Sequence, residues 1–295
     1  MAESMLYFQE KFDWDFMKVN PRASYHAQPW GAQVEYSRNE LVKTKIIDYP
    51  IKAIQGWKRV EPKRVSSPAL AEQLQALTLI GKKLKGNLFF VETVFTPLSV
   101  AGYLVPEKEK LVKHLRENPD LIHQALEAIT QTFEKFVEEV LNAGASGIFF
   151  ATTHWATSNS ITKEEYLQFG KPYDLRILNR VKDAELNVLH VCESNNFLES
   201  FENYPVSVVN WDAADPTNLT LEQGHDFLNK TVLGGVNHQK ELLDHDPTQV
   251  TEQAIQQRSK MEERRWMLGP GCSVPPEVPA GNLARLRNLV EEWRA

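Results

Sequence analysis

The stretch "NPDLIHQALEAITQTFEKFVEEVLNAGASGIFFATTH", residues 118–154, holds two hydrophobic patterns in immediate succession. In its first part Leu121, Ala125, Ile129, Phe133 and Val137 recur four residues apart, which places them on one stripe of a helix. Asn118 suits the N-cap, Pro119 suits the first helical position, and Gly144 stops the helix. The pattern then changes. "GIFFATTH" (147–154) is apolar nearly throughout at the length of a strand, as in a parallel sheet covered on both faces. An amphipathic helix feeding a doubly buried strand is the repeating unit of α/β folds.

The same alternation runs along the chain. Strands are predicted at "DFMKVN" (15–20), "KIIDYPI" (45–51), "NLFFVETV" (87–94), "GIFFATTH", "LNVLHVC" (186–192), "VSVVNWD" (206–212), "TVLGGVN" (231–237) and "RWMLGPG" (265–271). Helical periodicity is found at 68–81, 107–116, 118–145, 163–181, 219–229, 247–263 and 280–293. Eight strands alternating with helices predict a single (β/α)8 TIM barrel over 1–295, a fold that typically takes about 250 residues. A doubly wound open sheet is the rival architecture. It normally carries a Gly-rich phosphate turn after its first strand, and "KVNPRASY" has no glycine.

With a net charge of −6, the chain lacks the basic excess expected of a protein that binds nucleic acid or an anionic membrane. No apolar run approaches the roughly 20 residues of a membrane span. The acid-containing start "MAESMLYFQEKFDWDFMKV" reads as the mature start of a cytoplasmic protein. Two cysteines cannot build a disulfide framework.

Barrel chemistry sits at the C-terminal ends of the strands. The residues there are Asn20 and Arg22, Glu92, His154, His190 with Cys192, Asn210 with Asp212, Asn237 with His238, and Cys272. His190 and Cys192 are two apart on a strand and so share a face. Cys272 lies in "GPGCSVPP", where Gly269 and Gly271 allow close backbone approach. One histidine and two cysteines make three strong zinc ligands. The competing reading is that both cysteines are small buried hydrophobes.

Several segments resemble the uroporphyrinogen decarboxylase superfamily in order along the chain. They are "LFFVETVFTPLSVAGYL" (88–104), "ENPDLIHQALEAITQTFEKFVEEVLNAGASGIFFA" (117–151), "YLQFGKPYDLRIL" (166–178), "TVLGGVNHQKELLDHDPTQV" (231–250) and "PGCSVPPEVPAGNLARLRNLVEE" (270–292). The resemblance implies a (β/α)8 barrel and two chemistries. The decarboxylases are metal-free and hold a tetrapyrrole's carboxylates with an arginine-rich first loop. Here that loop reads "VNPRASYH", which keeps Arg22 and Tyr25 but not paired arginines. Asp48 is the possible counterpart of their essential aspartate, in surroundings that match poorly. The other branch, the methylcobalamin:coenzyme M and related corrinoid-dependent methyltransferases, carries His-x-Cys…Cys as a zinc site, similar to His190, Cys192 and Cys272.

This second resemblance implies a zinc with an open fourth position for a small thiol substrate, and a corrinoid as methyl donor, expected on a separate carrier protein. It makes a homodimer a reasonable assembly. Glu92 is then a candidate fourth ligand or base, as against a rim salt bridge. His154 is a candidate substrate contact, as against a packed histidine. Asp212 is a candidate for fixing the His190 tautomer, as against capping the next helix. Arg22, Tyr25, Asn237 and His238 are candidates for cofactor contacts. Trp155 and Trp211 near the mouth can pack on a flat macrocycle or belong to the core, and residues 18–31 are a candidate lid. A metal-free decarboxylase and a non-catalytic corrinoid- or tetrapyrrole-binding barrel stay open beside the methyltransferase.

Overall fold

The computed structural model describes residues 1–294 apart from 38, 40, 41 and 43. Its strands are β1 (Phe16–Val19), β2 (Gln33–Glu35), β3 (Lys45–Asp48), β4 (Phe89–Phe95), β5 (Gly147–Ala151), β6 (Val188–Val191), β7 (Val208–Trp211), β8 (Thr231–Val236) and β9 (Trp266–Pro270). The α-helices are α1 (Ala2–Phe12), α2 (Pro68–Leu84), α3 (Pro97–Tyr103), α4 (Lys108–Glu117), α5 (Pro119–Asn142), α6 (Lys163–Phe169), α7 (Lys171–Arg180), α8 (Leu221–Leu228), α9 (Pro247–Lys260) and α10 (Ala280–Arg294).

Among the described residues the main sheet has seven parallel strands in the order β1-β4-β5-β6-β7-β8-β9. Successive side chains on each strand point to opposite faces. Val91, Phe149, Ala151, Val188, Val208 and Leu233 pack together on the inner face of the curled sheet. Their alternates, among them Phe90, Val94, Ile148, Phe150, Leu189, Val191 and Val209, join the layer between sheet and helices. That double burial is why these strands read as continuous apolar runs.

The predicted second barrel strand is corrected. "KIIDYPI" supplies β3, which pairs antiparallel with β2 in a separate two-stranded ribbon, while β1 pairs directly with β4. Its residues alternate between exposed and half-buried, and Ile47 stays 60% exposed, so it lacks the two apolar faces that a barrel strand needs. The closed eight-strand ring is therefore replaced by a seven-stranded curled sheet. Near its two outer strands, Phe12 packs with Val236, Leu242, Leu283, Leu286 and Leu289. Arg287 also pairs with Asp13 at 2.9 Å and Arg294 with Asp15 at 2.8 Å, tying α10 to the turn before β1.

Two further differences are local. The helix predicted over 163–181 is two helices, broken at Gly170. Pro172 cannot donate to the preceding turn, and a Cβ on Gly170 would lie 2.6 Å from the Tyr166 ring. Residues 2–12, read from sequence only as a start, form α1. No helix among the described residues is long and apolar enough to cross a membrane.

Breaking the helix at Gly170 brings Tyr166 back onto Asp174. The Tyr166 and Tyr204 hydroxyls donate to Asp174 Oδ2 at 2.6 and 3.1 Å. Burial nevertheless pushes this carboxyl up to about 7, against the pull of both hydroxyls. The folded state thus keeps a proton that the unfolded chain releases near pH 4. The Asp174 contribution to stability is expected to be complete below about pH 4 and to fall as pH rises through about 7. Urea titrations of the native protein and of Asp174→Asn across that range check this: the fall should disappear in the variant.

Candidate metal centre

His190 has the same parity on β6 as inward-facing Val188, so its imidazole enters the chamber. Its ring stacks on Phe149, centroids 5.5 Å apart. Cys192 follows just past the strand, on the same side, with its N–H donating to Thr152 Oγ1 at 3.3 Å. Cys272 arrives on the turn after β9. There the Gly271 N–H donates to Val236 O at 3.1 Å. A Cβ on Gly271 would lie 2.7 Å from Asp212 Oδ1 and 2.8 Å from Asp212 Cα, so only glycine lets the turn close this tightly.

The result is a compact donor set. Cys192 Sγ and Cys272 Sγ are 3.8 Å apart, and Cys272 Sγ lies 3.5 Å from His190 Nε2. One donor atom from each of the three residues fits within a 4.8 Å span. A tetrahedral zinc with bonds of about 2.3 Å to sulfur and 2.0–2.1 Å to nitrogen requires edges of about 3.8 Å and 3.5 Å. The residues present therefore fit a tetrahedral metal.

The tautomer fits as well. Asn210 Nδ2 spends its two hydrogens on Leu233 O at 2.8 Å and Pro270 O at 3.0 Å. Its Oδ1, 2.6 Å from His190 Nδ1, must then accept, which puts the imidazole proton on Nδ1 and leaves the Nε2 lone pair facing the sulfurs. The two thiols are coupled. A hydrogen bond from Cys192 holds Cys272 well below the usual thiol range, with help from His190. The same bond pushes Cys192 well above it. Binding of a metal cation releases the protons its thiol ligands carry.

The other predicted residues are distributed unevenly. Asp212 does not reach His190. Its Oδ1 accepts from Ala214 N at 3.2 Å and its Oδ2 stands 3.8 Å from His238 Nδ1, so Asn210 performs the tautomer-fixing role proposed for it. Burial raises the Asp212 carboxyl, and His238 opposes the rise. His238 is buried against the same turn. Asn237 is spent locally, with Oδ1 accepting from Gln239 N at 3.0 Å and its N–H donating to Gln253 Oε1 at 2.9 Å.

Glu92 is displaced from the centre by strand parity. It alternates with inward Val91 and so lies in the layer facing the helices, fully buried, with neither oxygen hydrogen-bonded. Burial drives its carboxyl well up, against the pull of Lys18 and Tyr25. Tyr25 is likewise in the core, its hydroxyl donating to Thr93 O at 2.8 Å. Arg22 is engaged by Glu72 through two bonds of 3.1 and 2.6 Å, and by Gln28 Oε1 at 3.1 Å. Asp48 pairs with Lys52 on the outlying ribbon. Trp155 and Trp211 are core residues, with Trp211 Nε1 donating to Leu219 O.

His154 does stand at the rim, Nδ1 2.6 Å from Glu193 Oε1. Thr153 and Glu193 both adopt left-handed backbone, φ 47° and 75°. For β-branched Thr153 that conformation is costly, and such strain concentrates around functional sites. Sequence reasoning named Asn210 as a strand-end residue without giving it a task, and it missed Lys18 and Glu193. Asn210 was the legible one, an inward-parity amide in register with His190 on the neighbouring strand.

The profile of the uroporphyrinogen decarboxylase (URO-D) family matches residues 1–293. The chain belongs to the URO-D family. A uroporphyrinogen decarboxylase from Campylobacter jejuni is 24% identical over 267 residues, spanning 88% of this chain and 75% of its own. One from Wolbachia is 22% identical over 286 residues, 96% and 81% of the two chains. Among solved structures, a methyltransferase from Methanosarcina mazei superposes with a TM-score of 0.79 at 19% identity, covering 100% of this chain and 85% of its own. A putative vitamin-B12-independent methionine synthase from Listeria monocytogenes has a TM-score of 0.61 at 9% identity, covering 98% and 84%. These structural likenesses show a shared α/β fold. The curated relatives are named as decarboxylases, and the structural neighbour is named as a methyltransferase.

Removing the amide that orients a metal-binding histidine typically costs 10–100-fold in affinity. Asn210→Ala is expected to weaken metal binding by about that factor. Competition against a chromophoric chelator measures it, with circular dichroism confirming the fold.

Proposed function

We propose that this URO-D family protein is a zinc-dependent methyltransferase that moves a methyl group from a corrinoid donor to the sulfur of a small thiol. One observation carries the reading: the Cys192–Cys272 and Cys272–His190 separations match two edges of a zinc tetrahedron, all three donors lie within 4.8 Å of one another, and the imidazole is held in the metal-binding tautomer. Three protein donors leave one position open, the pattern of catalytic rather than structural zinc. Bound there, zinc supplies a Lewis acid that keeps a thiol ionised at neutral pH.

The chain's own residues prepare that position. Asn210 fixes the imidazole, Thr152 anchors Cys192, and the Gly271 turn presses Cys272 into place. Phe149 walls the chamber beneath His190. His154, with its Nδ1 on Glu193, is assigned contact with the substrate at the rim and receipt of the thiol proton. The corrinoid would supply the methyl group to the sulfur and would keep the electron pair of the bond that breaks. A separate carrier protein is the expected source of the corrinoid.

The decarboxylase reading has the names of the sequence relatives in its favour. Against it stands the first loop, whose Arg22 is already engaged by Glu72 and Gln28. A polycarboxylate substrate requires several free cations.

Elemental analysis of the purified protein is expected to give one zinc per chain, lost in His190→Ala and Cys272→Ala. Methyl transfer from free methylcobalamin to a small thiol is expected to fall by roughly a thousandfold or more in Cys192→Ala, since removing one member of a catalytic unit typically costs on the order of 10⁴-fold or more. Zinc-free protein that decarboxylates a porphyrinogen, with activity surviving Cys192→Ala, would overturn the proposal. Stoichiometric zinc without turnover of either kind would leave a binding barrel instead.

A further inference from the structure

The chamber contains a cation that the metal reading leaves unused. Lys18 alternates on β1 with Met17 and Val19, which face the helices, so its side chain enters the interior. Its Nζ donates to Asn20 Oδ1 at 2.8 Å and lies 4.7 Å from the centroid of the Phe149 ring. That ring stacks in turn on His190. One aromatic ring therefore separates the ammonium from the imidazole of the metal centre.

Lys18 is half-buried, and among the described residues no carboxylate comes within ion-pair distance of it. The ionisable groups nearest it are Cys272, on the turn after β9, and Glu92 on β4, whose carboxyl is raised by burial. Burial lowers the Lys18 ammonium to about 8, partly opposed by those two groups, so it is still mostly charged at neutral pH. Among the described residues this half-buried cation meets an amide oxygen and a ring but no carboxylate partner, an arrangement that an anion in the chamber would complete.

The metal reading, on which this inference rests, supplies that anion. A divalent metal held by two thiolates and a neutral imidazole carries no net charge. A third thiolate, from the substrate, adds one negative charge to a chamber of low dielectric, where an uncompensated charge is expensive. We propose that Lys18 is a positioning residue that supplies the counter-charge for the substrate thiolate at the His190–Cys192–Cys272 centre. It raises the affinity of the open position for an ionised thiol without itself binding metal.

The test uses the full-length protein loaded with Co(II), whose thiolate-to-metal absorption reports ligand binding without turnover. Titration at pH 7 with 2-mercaptoethanol, which has no charge besides the thiol, is expected to show binding weakened about tenfold in Lys18→Met, a change of about 1.4 kcal/mol. Co(II) stoichiometry should be unchanged, and Lys18→Arg should recover most of the affinity. Equal affinity in Lys18→Met and native protein would overturn the proposal. So would weakening confined to mercaptoacetate, which would assign Lys18 to an anionic tail of the substrate. If Lys18→Met does not fold, Lys18→Gln is measured against the same criterion. Failure of the native protein to take up Co(II) would count against the metal reading instead.

Discussion

A single carboxamide holds the site together. Asn210 on β7 accepts from His190 on β6 and donates to Leu233 O on β8 and to Pro270 O on β9. Four adjacent strands are thereby cross-linked at one height, at the level where the metal donors converge. Each bond is individually worth about 1 kcal/mol net. Their mutual dependence counts for more, because both amide hydrogens are committed and the oxygen can only accept. The tautomer of His190 and the approach of the β9 turn are thus consequences of one side chain. A donor set assembled from residues 80 positions apart needs such a device, since nothing local holds Cys192 and Cys272 together.

The layering of the sheet decides which polar residues can take part. Inward positions reach the chamber, and outward positions are sealed beneath helices. His190 and Lys18 are inward; Glu92, with the wrong parity, is a buried acid in the outer layer, its carboxyl raised by burial. The rim adds a second population held by loops, where His154 meets Glu193 across two strained turns. Between these layers the chemistry divides: soft donors and a cation inside, a solvent-facing acid–base pair at the edge.

Much of this was legible in advance, for identifiable reasons. The parallel strands announced themselves because burial on both faces demands unbroken apolar runs. The donor triad was legible because an i, i+2 pair on a strand shares a face and a glycine-flanked turn admits close approach. The errors have equally physical sources. "KIIDYPI" is apolar enough for a strand, but only pairing shows that it sits on an exposed ribbon beside β2. Glu92 sits at a strand end like a ligand, yet a shift of one residue turns it away from the chamber. Arg22 and Tyr25 occupy the expected loop, but their partners Glu72 and Thr93 are 50 and 68 residues distant and could not be foreseen.

What the sequence determined by itself was the repertoire: an α/β chain, strands with two apolar faces, and a histidine and two cysteines at strand ends. These follow from periodicity and residue chemistry, which are local properties. Only the tertiary structure decided the number of strands in the sheet, the identity of the residue that orients His190, and the presence of Lys18 beside the centre. Those depend on distances between segments remote in the chain, and such distances are set by how layers pack rather than by any spacing along it.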